Sequence, residues 1–380
     1  MKIGLVCPYN IDKRGGVQEV VLALKEGLSE RGHTVKIITP YPRNQEVEER
    51  PDVLFASTSV DFRTLSFGAT TSQVSSTADN DKIDAMLAEE QFDVLHFHEP
   101  WMPLLSRQLL QRSTSVNIAT FHAKVSETIM SRTVLRVVTP YLNSVMKYLD
   151  VLTAVSDAAA EYVTGMTDKS ISIIPNGIDL TKYKQVPKPA SNAAAKNILY
   201  IGRLERRKGV KYLLQAFEVL THTNPDVKLI IAGEGPDREK LELYAEDLKL
   251  KNVSFLGYIS EELKLELLAD ADLFCSPAIS GESFGIVLLE AMATGTVAVA
   301  GNNSGYADVM QGLGAVSIVN PDDTAEFARR LKLLLEQADL RTLWRIWATG
   351  YVKQFNYPSI IDRYEALYRD ALKDHGAKHG

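Results

Sequence analysis

At 380 residues the chain is too long for one ordinary core and calls for two domains. It is 45% hydrophobic and 24% charged, which excludes a disordered or low-complexity protein. A formal net charge of −6 argues against a nucleic-acid binder, and no run approaches the ~20 apolar residues that a membrane span needs.

Residues 2–8 form a strand-sized apolar run, too short for a secretory leader, and read as a buried parallel strand. After a loop, Gly15-Gly16-Val17 opens an amphipathic helix carrying Val20, Val21, Leu24 and Leu28, which stops at Gly32. Residues 35–39 are the next strand. Paired glycines let a backbone approach a bulky anion with no Cβ in the way. Their spacing is not GxGxxG, so a nicotinamide cofactor is disfavoured. Residues 44–80 are polar and carry no assignable element, and helical spacing returns at 83–90.

Residues 92–100 read as a strand ending in His96-x-His98-Glu99-Pro100. Two histidines at i and i+2 share a strand face, which on chemistry alone suits a metal. A hydrogen-bonded strand end lining a cleft is the better reading. Residues 116–122 are a further strand, ending in His122 where open α/β sheets place ligands. An apolar helical region at 129–149 is interrupted by Pro140 and carries Arg132, Arg136 and Lys147. Residues 151–156 form a strand whose Ser156 suits a helix N-cap. Residues 170–177 form another, closed by Pro175-Asn176-Gly177, and 184–196 have linker composition.

The pattern then restarts. Residues 197–202 are a strand, Arg203 to Lys208 a basic loop, and Gly209 opens a helix. Residues 228–233, 253–257, 273–276 and 297–300 read as strands, with helices at 261–269, 324–337 and 359–372. Strand, glycine turn, helix and strand recur in both halves, the pattern of two doubly wound domains. The boundaries expected are 1–178 plus 359–380, and 179–358. Cys7 and Cys275 both sit in apolar strands and read as buried reduced thiols, which points to the cytoplasm.

Most of the chemistry lies in Glu282-Ser283-Phe284-Gly285-Ile286, which runs into a helix through Glu290 to a stop at Gly295. With Gly285 at the helix start, Glu290 lies roughly one and a half turns in and Glu282 stays on the loop beside the mouth. The mouth offers free N–H groups and about half a positive charge, suited to a phosphate. Carboxylates on either side can accept hydrogen bonds from hydroxyls at the two ends of a nucleotide-sugar.

These motifs occur in one order: Gly15-Gly16, His96-x-His98-Glu99-Pro100, Phe121-His122, Pro175-Asn176-Gly177, Gly202-Arg203 with Lys208-Gly209, and Glu282 to Glu290. Together they resemble the retaining GT-B glycosyltransferases of family four, and within them the phosphatidylinositol mannosyltransferases, over nearly the whole chain. The resemblance implies two Rossmann-like domains facing across a cleft, with the last helix crossing back to the N-terminal one. It also implies transfer of a hexose, mannose favoured, from GDP-mannose to a hydroxyl acceptor, with no metal or other cofactor required. By matching positions, Gly16 meets the diphosphate, and Arg203 and Lys208 neutralise the leaving group. Glu290 holds the ribose, Glu282 the sugar, and Ser283, Phe284, Gly285 and Ile286 the helix mouth. Ile259 and Lys264 lie near the base, His122 beside the reacting sugar, and Tyr9, Gln18 and Arg63 on the acceptor side.

Departures bear on the acceptor. Family members acting on membrane phosphoinositides carry a basic run after the counterpart of Phe67-Gly68, and here that stretch has no cation. A lysine expected soon after His122 is Glu127. Each lost cation removes roughly 1 kcal/mol of membrane attraction. Contact with the inner membrane face would then fall to residues 104–110 or 129–145, unless both stretches are ordinary core. A soluble-acceptor transferase, an epimerase of the same fold and a non-catalytic nucleotide-sugar binder are the other readings.

Overall fold

The structure is a computed structural model, describing residues 1–13, 15–42, 50–64, 70–76, 78–101, 104–124, 139–184 and 196–379. The chain divides into two compact units, Met1–Gly177 with Tyr357–Gly380, and Ile178–Asn356. The breaks differ from the expected boundaries by one and two residues, for local reasons. Ile178 donates its N–H to the Phe355 carbonyl at 2.8 Å and forms a parallel bridge with Asn356. The last helix, expected from residue 359, begins two residues earlier, with Tyr357 and Pro358 in its first turn, where proline's missing N–H costs nothing.

The first unit holds an eight-stranded sheet in the order β4-β3-β2-β1-β5-β6-β7-β8. In chain order these are β1 (Lys2–Val6), β2 (Thr34–Tyr41), β3 (Val53–Thr64), β4 (Thr70–Ser75), β5 (Val94–His98), β6 (Val116–Phe121), β7 (Val151–Ala154) and β8 (Ile171–Ile173). All neighbours are parallel except β3 and β4, an antiparallel edge pair within the stretch that carried no assignable element. The central strands are buried on both faces, β1 as an apolar run and β5 and β6 with His96, His98, Asn117 and Thr120 buried among apolar residues.

One face of that sheet packs on the Gly16–Glu30 helix through Val21, Leu24 and Leu28. Ile360, Ile361, Tyr364 and Tyr368 of the Tyr357–His379 helix complete the same core. Each such side chain, fully buried, contributes about 1.5–3 kcal/mol. The last helix is therefore an integral part of the first unit.

The second unit holds a six-stranded parallel sheet in the order β11-β10-β9-β12-β13-β14. Its strands are β9 (Asn197–Ile201), β10 (Lys228–Ala232), β11 (Val253–Gly257), β12 (Leu273–Ser276), β13 (Val297–Gly301) and β14 (Ile318–Val319). Both units are Rossmann-like α/β domains, as the glycine-turn repeat implied. The Ala338–Tyr351 and Arg238–Asp247 helices, absent from the sequence reading, flank this sheet.

Leu105, Leu109 and Leu110 are buried, as are Leu142 and Val145, so in these two stretches those side chains serve the core rather than a membrane surface. Residues 125–138, including Glu127, lie outside the described residues, as do 65–69 and the Arg63 side chain. Among the described residues no helix is long and apolar enough to cross a membrane.

Candidate active site

In the second unit, Gly285 ends the loop after Glu282 at φ +100° and the Ile286–Thr294 helix starts at the next residue. A Cβ there would stand 2.7 Å from the Tyr306 ring, so only glycine fits both the turn and the packing. Glu282 lies beside the mouth. Its Oε1 accepts from Arg207 at 2.6 Å and from the Lys208 ammonium at 2.8 Å. Arg207 also reaches the Gly281 carbonyl at 3.1 Å and the buried Glu205 carboxylate at 2.7 Å.

The basic turn that delivers Lys208 is pinned from behind. Gly209 adopts φ +74° with the Pro277 carbonyl so close that a Cβ would overlap it. Arg203 is held less tightly, 3.9 Å from Glu205 with nearly half of its side chain exposed.

Glu290, on the helix itself, is nearly buried. Its Oε1 accepts from Lys264 at 2.7 Å and from the Tyr183 hydroxyl at 3.0 Å. Burial alone would pull the Lys264 ammonium down, but Glu290 and Glu261 beside it raise it above its usual value, so it is a cation. Lys264 is placed by the Glu261–Asp270 helix, capped by Ser260, and half-buried Ile259 immediately precedes that cap. Two carboxylates, each held by a lysine, thus flank one helix mouth. Tyr183 and Arg207 were not anticipated as partners; a charged loop gives no sign of which cation turns inward.

In the first unit, Gly16 is the first residue of its helix, and the space a Cβ would occupy is open. Gln18 turns its amide toward the Asn10 carbonyl at 3.4 Å. Tyr9 is half-buried near Cys7 and Glu99, and burial, with those two groups, raises its hydroxyl well above the usual value.

The end of β5 is unusual. Glu99 has φ +52° and is 1% exposed. Its Oε1 accepts the His122 backbone N–H at 2.6 Å, and its Oε2 accepts the Trp101 indole N–H. Burial pushes the Glu99 carboxyl up to about 7, against the pull of these donors.

His122 Nε2 lies 2.9 Å from His98 Nδ1, and burial drops the His122 imidazole to about 3, with Asn176 beside it working the other way. His96 spends both ring nitrogens on hydroxyls, Tyr368 at 2.7 Å and Thr120 at 2.6 Å. The His-x-His pair is therefore a hydrogen-bonded strand end, and among the described residues no group of three such side chains is arranged to hold a metal ion.

The chain matches two sequence families in tandem. Residues 14–182 match the family described as Glycosyltransferase Family 4, and residues 182–348 the one described as Glycosyl transferases group 1. A phosphatidyl-myo-inositol mannosyltransferase of Mycolicibacterium smegmatis is 32% identical, covering 97% of this chain and 93% of that protein. The N-acetyl-alpha-D-glucosaminyl L-malate synthase of Bacillus anthracis is 27% identical, with 98% of each covered. An Anabaena protein, HepE, solved in complex with UDP-glucose, shares the fold at a TM-score of 0.73 and 19% identity, covering 97% of this chain and 99% of that one.

Proposed function

Because the chain belongs to the GT-B glycosyltransferases of family four, we propose that it is a retaining mannosyltransferase taking GDP-mannose as donor and a phosphatidylinositol-type lipid as acceptor. The observation that carries the donor reading is the frame of Glu282 and Glu290, each held by a lysine beside the mouth of the Ile286–Thr294 helix. The mannosyl donor and lipid acceptor are supported by the full-length likeness to phosphatidyl-myo-inositol mannosyltransferases.

In this reading the diphosphate sits at the helix mouth, with Lys208 and Arg203 against its oxygens. Glu290 takes the ribose hydroxyls, Lys264 and Ile259 the base, and Glu282 the sugar hydroxyls. Tyr9 and Gln18 face the acceptor. The acceptor oxygen bonds to the anomeric carbon on the face from which the diphosphate oxygen departs. The acceptor proton passes to that departing oxygen, so configuration is retained without a protein base. Charge building on the diphosphate is met by Lys208, Arg203 and the helix N–H groups, the electrostatic term that commonly dominates such catalysis. These groups take the place a metal holds in other transferases, and the enzyme works at the cytoplasmic membrane face.

A second reading, transfer to a small soluble hydroxy acid, is favoured by the missing cations around residues 69–79 and by the likeness to a malate glycosylating enzyme. Labelled GDP-mannose offered with phosphatidylinositol vesicles, with L-malate, or alone separates the two. Label entering the lipid phase supports the first reading. Label joined to malate establishes the second, and GDP release equal in all three arms removes both.

A further inference from the structure

Three histidines of the first unit, His96, His98 and His122, stand in a column at the ends of β5 and β6. The rings of His96 and His98 lie 4.2 Å apart and those of His98 and His122 5.2 Å apart. His96 is fully engaged by Tyr368 and Thr120. His98 is fully buried and has a single hydrogen bond, from Nδ1 to His122 Nε2; its own Nε2 is buried with no partner. Burial holds both rings far below the usual imidazole range, so each is neutral, with one N–H and one lone pair.

Two arrangements satisfy the bond between them. If His122 donated from Nε2, His98 would carry its proton on the orphaned Nε2, an N–H sealed away from any acceptor. If His98 donates from Nδ1, only a lone pair is orphaned. Buried N–H groups without an acceptor are the rarer fault, and a lost donor costs its full desolvation. Which nitrogen of a histidine is protonated is set by the bond the other one makes. We propose that His98 is a positioning residue that fixes the proton of His122 on Nδ1, so that His122 meets its ligand as a hydrogen-bond donor and not as a base.

The Nε2 lone pair of His122 is then occupied by the His98 proton. Its Nδ1 stands against the Asn176 side chain, a hydrogen bond that favours a proton there, and an entering hydroxyl oxygen can take that N–H. Asn176, released from the ring, can share that hydroxyl by accepting its hydrogen bond on the carboxamide oxygen. The identification of that hydroxyl as a sugar's rests on the transferase reading; the tautomer does not.

Long-range proton–nitrogen NMR on the full chain labelled with 15N-histidine tests this, with His122 assigned by its loss in His122→Gln. The expected pattern is a protonated Nδ1 and a bare Nε2. The reverse pattern, an imidazolium, or averaging between tautomers overturns the proposal. His98→Leu should let His122 average and lower kcat about tenfold with donor KM changed less than about threefold. His98→Asn, which keeps an N–H near the Nδ1 position, should restore the tautomer and most of the turnover. Should His98→Leu not fold, the wild-type and His98→Asn spectra still decide. The expected tautomer in a protein that turns over no nucleotide-sugar would sink the transferase reading and leave this one standing.

Discussion

Lys208 brings its charge against Glu282 inside the mouth region, while Arg203 leaves nearly half of its side chain in water. If both meet the departing diphosphate, Lys208→Ala and Arg203→Ala should each lower turnover by ~10²-fold or more at saturating donor. Turnover near wild type in both removes their catalytic role. Glu99 offers a test of pH. Its carboxyl rises from 4.5 to about 7 on folding, so the native state binds the extra proton. The stability this contributes is full below pH 4.5 and is lost as pH rises through about 7, to a total of about 3 kcal/mol. Glu99→Gln should therefore gain on wild type as pH rises from about 5 to about 8, read as a widening difference in Tm. A difference independent of pH would mean that Glu99 is charged throughout. At this scale the sequence marked the glutamates and lysines that the fold pairs. Glu282, Glu290, Lys208 and His122 all stand by a landmark legible in the sequence, namely Gly281, the helix that Gly285 opens, Gly209 and the end of β6. Arg207 and Tyr183 went unmarked, because their contacts with Glu282 and Glu290 depend on packing between segments distant in sequence.

The elements differ in what their glycines do. Gly209 and Gly285 are locked by positive φ and close neighbours, whereas the space beside Gly16 is open. Gly16→Ala places a methyl at the first helical position without a clash. It should hold or raise stability by about 0.5–1 kcal/mol, since alanine is the better helix former. If the Gly16 N–H meets a diphosphate, the same methyl stands in the approach, and donor KM should rise about tenfold or more with Tm unchanged or higher. An unchanged KM, measured beside the thermal melt, would show that the anion lies elsewhere. The same contrast explains which elements could be read. The β1, β5, β6, β9, β12 and β13 strands are buried on both faces and read as mainly apolar runs. The β3–β4 pair is an edge hairpin rich in Ser and Thr, with Ser57, Ser59 and Ser75 buried. Burying hydroxyls there erased the alternation that marks a half-buried strand.

At the scale of the molecule, the second unit is one continuous segment and the first is two. Residues 178–356 expressed alone should unfold cooperatively and bind GDP, because their sheet, mouth and both lysine–glutamate pairs are complete within that segment. Residues 1–177 alone should aggregate, lacking Ile360, Ile361, Tyr364 and Tyr368 from their core. Thermal melts with and without GDP check the first, since a ligand of the folded state raises Tm. A soluble, cooperatively melting 1–177 would show that the last helix is dispensable.

The place of that helix also fixes an order of events at the ribosome. Chains emerge from the N-terminus, and domains fold as units when their sequence is complete. The first unit is begun first yet must wait for the Tyr357–His379 helix, because Tyr368 is the hydroxyl beneath His96. The second unit can close its sheet while synthesis continues. The half bearing Glu282 and Glu290 can therefore fold first, and the half bearing His122 completes its core only after residues 357–379 have emerged.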